Sequence, residues 1–97
     1  MDDIAQSFPI NVDQAVHTLT KYVSFSDKVR ISLKEEADLL ELMPILGSFI
    51  SEEFNLPSNP MLIESCQEHS GHILLNTDDA QLVIIREFWK QLTKFRF

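Results

Sequence analysis

Residues 35–54, EEADLLELMPILGSFISEEF, repeat apolar side chains at Leu39, Leu42, Met43, Leu46, Phe49, Ile50 and Phe54, straight across a proline. Steps of three and four are the period of one helix face, so this stretch must lay a wide apolar stripe against a partner element. Pro44 interrupts it, because proline has no backbone N–H and its ring crowds the carbonyl of Leu40. The spacing therefore predicts a helix that either kinks at Pro44 or breaks into two. Gly47, one turn later, lacks a side chain and is expected to mark a close helix crossing.

Helical signals continue on both sides. Asn11 is placed to cap a helix over about 12–24, with Asp13 in its first turn, Lys21 in its last, and Val12, Val16, Leu19 and Val23 as its stripe. Phe8 and Pro9 are expected to fold back onto it. Ser24-Phe25-Ser26-Asp27 breaks the pattern, and Ser26 can cap a short turn through Ile31. Ser32 followed by Glu35 reads as a capping box opening the central run, with Leu33 packed beneath. Asn59-Pro60 starts a short helix carrying Met61, Leu62, Ile63 and Cys66 and ending near Ser70-Gly71. HILLN (72–76) reads as extended or irregular. Thr77 or Asp78 then caps a last helix with an inner stripe of Ala80, Val83, Ile84, Phe88, Gln91, Leu92 and Phe95, widened by Leu82, Ile85 and Trp89. Phe95 is expected in the core, and Phe97 is left open. With 2 glycines and 4 prolines among 97 residues, turn-rich β architectures are disfavoured. The expected fold class is all-α: one domain spanning 1–97, with four to five short helices in an irregular bundle.

The stretches DLLELMPILGSFISEEFNL, NPMLIESC and TDDAQLVIIREFWKQL resemble a family of small uncharacterised bacterial helical domains over roughly residues 8 to 92. That family's opening F-P-x-[ST]-x-x-[ED]-A-V is similar to Phe8-Pro9 through Ala15-Val16. Its central D-L-[IL]-x-L-H-x-x-L-G-x-x-I-R-x-x-F-x-L matches Asp38, Leu39, Leu42, Gly47, Ile50, Phe54 and Leu56. Its closing D-D-A-S-x-[IV]-I-x-x-[LF]-W is similar to Asp78, Asp79, Ala80, Ile84 and, one position later, Trp89; Asn59 matches too. Met43 and Ser51 stand where the family has histidine and arginine, and Pro44 has no counterpart. The resemblance implies the helical frame and supplies no activity.

Charge is distributed unevenly. The net charge is −7. From Glu35 to Asp79 there are ten acids and no lysine or arginine, whereas Arg86, Lys90, Lys94 and Arg96 follow with Glu87 as the sole acid among them. An acidic body disfavours nucleic-acid backbone binding, since each phosphate contact needs a cation. No apolar run is long enough to span a membrane. The acids at the start replace the cations of a secretory leader, and one cysteine forms no internal disulfide, so the expected compartment is the cytoplasm.

CQEHSGH (66–72) brings Cys66, His69 and His72 into one short stretch. They supply at most three of the ligands that zinc needs, and Gly71 separates His72 from the helix. The plainer reading packs Cys66 as a small apolar residue, sets His69 at a helix C-terminus and leaves His72 in water. As a nucleophile Cys66 would suffer from Glu64 and Glu68, whose charges raise a thiol pKa. The pairs Glu35-Glu36, Glu52-Glu53 and Asp78-Asp79 read as caps and solvated faces, because adjacent helical residues do not face each other. Two glycines build no phosphate loop, so no cofactor is expected. The expected function is non-catalytic: an accessory or regulatory domain binding a basic protein surface, or a second copy of itself. Its candidate partner surface is Glu52 and Glu53 together with the edge of Arg86, Lys90 and Lys94. The alternatives are a metal- or thiol-dependent enzyme using Cys66, His69 and His72, and a nucleic-acid accessory using the basic edge.

Overall fold

The computed structural model describes residues 8–71 and 76–95, and among these the chain is helical with no strand. Five α-helices are joined by tighter and wider turns. They are α1 (Val12–Tyr22), α2 (Phe25–Ser32), α3 (Ser48–Glu53), α4 (Pro60–Ser70) and α5 (Thr77–Phe95). No helix among the described residues is long and apolar enough to cross a membrane. The expected conformation of 72–75 and the side-chain packing of Phe95 and Phe97 fall outside what the structure describes.

α1 starts as expected. Asn11 Oδ1 accepts from Gln14 N–H at 2.8 Å, and Gln14 Oε1 accepts from Ile10 N–H at 3.1 Å, so two orphan donors are satisfied reciprocally. The cap of α2 is Ser24 rather than Ser26: its Oγ accepts from Asp27 N–H at 3.2 Å. The capping box at Ser32 does not form. Ser32 lies inside α2 and donates to Val29 O at 2.7 Å, and Leu33 faces solvent instead of packing beneath. Likewise Asn76, rather than Thr77 or Asp78, caps α5, accepting from Asp79 N–H at 3.0 Å. At α2 and α5 adjacent polar residues compete for the cap, and the winner is the one left just outside the helical turn.

The central run is not one regular α-helix but a succession of three hydrogen-bond steps. Glu36–Leu42 forms a 3-10 segment, Met43–Gly47 a single π-turn, and only Ser48–Glu53 is regular α-helix. Pro44 contributes no donor and excludes the ordinary geometry against Leu40, and widening to a π-turn accommodates both effects without ending the helix. Leu39, Leu42, Leu46, Ile50 and Phe54 still reach the core. Gly47 marks the expected crossing with α5, since a Cβ there would collide with Gln81 Oε1. Gly71 ends α4 at φ 76, a left-handed position that favours glycine.

α5 is the axis of the assembly, with α1, α2, α3, α4, the 3-10 segment and the π-turn all packed against it. Its Ala80, Val83, Ile84, Ile85, Phe88 and Leu92 are buried among Leu19, Leu39, Leu56 and Leu62. Polar ties fix the wrap. Trp89 Nε1–H donates to Lys34 O at 2.9 Å, holding the end of α2 to α5. Val12 N–H donates to Ser65 Oγ at 3.0 Å, docking α1 on α4. Buried Asn59 does three things at once: Nδ2 donates to Pro9 O at 2.9 Å and Phe54 O at 2.8 Å, and Oδ1 accepts from Leu62 N–H at 3.3 Å.

Replacing Asn59 tests that tie. Asn59→Ala should cost about 2–4 kcal/mol in urea unfolding, because it removes a cap and strands buried carbonyls. Asn59→Asp keeps the cap acceptor but sets a carboxylate against two carbonyl oxygens, which raises its folded pKa. Its deficit should therefore grow as pH rises from 4 to 7 and shrink on acidification.

Candidate functional site

The structure sends Cys66 and His69 to different environments. Cys66 is fully buried, and its Sγ–H lies 3.7 Å from Ala80 O on α5. Burial pushes the thiol from its ordinary 9.0 up to about 12. The direction matches the sequence expectation, but desolvation rather than Glu64 or Glu68 is the cause. His69 is exposed, with Nδ1 3.2 Å from Ser65 O one turn back. His72 lies outside the described residues. No three His, Cys, Asp or Glu side chains among the described residues are grouped to hold a metal ion.

The basic edge is largely turned onto the chain's own acids. Arg86 is half-buried, and its Nε lies 3.0 Å from Glu36 Oε2. That contact is off-line for a hydrogen bond, leaving Nε without one, so the pair is an electrostatic contact between α5 and the 3-10 segment. Lys90 Nζ pairs with Glu87 Oε2 at 3.3 Å, and Lys94 shares a shallow depression with Asp13. Lys34 Nζ reaches Glu41 Oε1 at 3.0 Å. Such surface pairs contribute on the order of 0–1 kcal/mol each. Glu53 is exposed, and Glu52 lines a polar cleft with Asp78.

One open feature among the described residues was not visible in the sequence. A groove of about 730 Å³ runs between α2 and the π-turn. Val23, Ile31, Leu42 and Leu46 form its floor, and Tyr22, Leu33, Ile45 and Phe49 its walls. Leu33 is 79% exposed, Ile45 70% and Tyr22 68%. Tyr22 stacks at a tilt on Phe49, ring centroids 5.6 Å apart, which holds one wall in place. Asp27, Arg30 and Lys34 supply a rim of mixed charge. The available signal was the surplus of apolar residues. Leu33, Leu40 and Ile45 have no place in a single helical stripe, and all three end exposed.

Comparison with known protein families, with characterised proteins and with solved structures finds no match to this chain. The groove, the polar cleft and the buried thiol thus stand on their own geometry.

A thiol at this depth should not react with an aromatic disulfide reagent at pH 8 until the protein unfolds, so labelling should track denaturant unfolding. The same burial gives a pH signature. Between about 9 and 12 the unfolded chain releases the Cys66 proton while the folded chain retains it, so stability falls as pH rises through that window. Cys66→Ala should flatten this alkaline loss while lowering stability at pH 7.

Proposed function

We propose that the protein is a non-catalytic, protein-binding accessory or regulatory domain of the cytoplasm, and that its apolar groove is the docking surface. The observation that carries this reading is the convergence of Tyr22, Leu33 and Ile45 on one groove while each stays well exposed. Scattered apolar side chains are ordinary on a protein surface, whereas a contiguous patch with a charged rim is what an association surface requires. The net charge of −7 favours a basic partner and acts mainly on encounter rate and partner choice. A second copy of the chain is the other occupant that suits such a patch.

The competing readings have less support. An enzyme built on Cys66, His69 and His72 would need a thiolate, and the thiol sits in the core with a raised pKa. A nucleic-acid accessory would need free cations, and Arg86 and Lys90 face carboxylates. The resemblance to uncharacterised bacterial helical domains implies the helical frame alone and favours none of these readings.

Leu33→Glu and Ile45→Glu alter exposed side chains and should leave the melting temperature within a few degrees. A protein captured from the native host by the wild-type chain should bind each variant at least about tenfold more weakly, because a charge pressed into an apolar contact costs more than 1.4 kcal/mol. Sedimentation across a concentration series reports the homodimer directly. Capture unaffected by both variants, from a chain that is monomeric throughout, overturns the proposal.

A further inference from the structure

The cleft beside the π-turn holds charges and hydrogen-bonding groups that the protein itself does not satisfy. Its volume is about 420 Å³, and its polar lining is Ser48, Ser51 and Glu52 from α3 with Asp78 and Gln81 from α5. Glu36, Glu41 and Glu87 all have a cation within 4 Å, but neither Glu52 nor Asp78 has an ion-pair partner among the described residues. Gln81 is only 7% exposed. Its amide oxygen sits over Gly47, and the side chain makes no hydrogen bond to any described residue. Its amide atoms keep contact with solvent at the cleft, where they are open to a ligand. Gly47 keeps it there, since any Cβ at 47 would displace it.

We infer that this cleft receives an arginine side chain presented by a partner protein. A guanidinium carries five donors in a planar fork, which suits two carboxylates and the hydroxyls of Ser48 and Ser51. Gln81 offers one acceptor and two donors, so it can take an N–H from the cation or give one to the adjoining peptide carbonyl. The second contact is one that a bare cation cannot make, which selects arginine within a peptide. Lysine presents a compact, strongly hydrated point charge and fills fewer of these groups. Magnesium or calcium needs about six oxygen ligands closed around one centre, and two carboxylates on an open cleft do not provide that. The inference rests on the protein-binding reading in taking the arginine to belong to a protein.

The test uses the intact chain and N-acetyl-argininamide, followed by two-dimensional amide NMR. The expected result is a saturable shift confined to the amides of residues 48, 51, 52, 78 and 81, with N-acetyl-lysinamide clearly weaker. Glu52→Gln and Asp78→Asn should each weaken binding about tenfold, the value of one charge-assisted hydrogen bond. Both carboxylates are exposed, so the variants should fold; if Asp78→Asn costs helix stability, Glu52→Gln alone decides. Absence of a saturable shift at the cleft overturns the inference, as does equal binding by Glu52→Gln. A magnesium-induced shift that argininamide does not displace also overturns it and makes the cleft a cation site. A silent cleft with the groove variants still losing a partner defeats this inference alone. Argininamide binding with no effect of the groove variants defeats the groove reading alone.

Discussion

α5 is apolar around most of its circumference, and the rest of the fold follows from covering it. Ala80, Val83, Ile84, Ile85, Phe88 and Leu92 are buried, while Leu82 and Trp89 are partly so, and these positions cannot share one face. Such a helix must be surrounded rather than laid on a surface. The other elements are short: α2 has 8 residues and α3 has 6. Helices below about 12 residues are marginal in isolation, so these segments hold their shape because α5 gives them something to bury. That dependence explains why a 3-10 segment and a π-turn are tolerated where the sequence shows helical spacing. The contact with α5 decides the outcome, and local hydrogen-bond geometry adapts to it.

Much of this was legible in the amino-acid order. The stripes of α1 and α5, the Asn11 cap, the Asn59-Pro60 start and the Gly71 stop all follow from local chemistry, and local chemistry survives in the structure. The misreadings have a common cause. Ser24 against Ser26, and Asn76 against Thr77 or Asp78, are choices among equally able neighbours. Where the chain leaves the helix settles them, and tertiary packing sets that point. Leu33 read as core because it follows a serine in a capping pattern. Once Ser32 ends α2 instead of starting a new helix, that side chain is carried outward. Pro44 announced a disturbance, but period alone does not distinguish a kink from a change in hydrogen-bond step.

The functional surfaces were legible in composition and hidden in arrangement. The run from Glu35 to Asp79 without a cation predicted an acidic body, and the fold divides it. Glu36 and Glu41 lie opposite Arg86 and Lys34 and are cancelled locally. Glu52 and Asp78 are brought to one cleft only by the crossing of α3 and α5 near Gly47. No spacing rule links positions that far apart, nor does any reveal that Gln81 will line the cleft beside them. Cys66, conspicuous in the sequence, is spent on packing.

The two open surfaces meet on one short segment. Leu42, Ile45, Leu46 and Phe49 line the apolar groove, at the steps of one helical face. Met43, Pro44, Ser48, Ser51 and Glu52 line the polar cleft from the neighbouring face. The π-turn and the start of α3 therefore form a ridge, apolar on one flank and acidic on the other. A segment lying across that ridge would bury side chains on one side while placing a cation on the other. Apolar burial gives affinity without direction, and a charge-assisted fork gives direction with little net affinity. Pro44 sits at the centre of this arrangement. The wide turn around it keeps Leu42 and Leu46 in the inward run while Ile45, outside that stripe, stays exposed, so the segment that departs most from regular helix carries both flanks of the ridge.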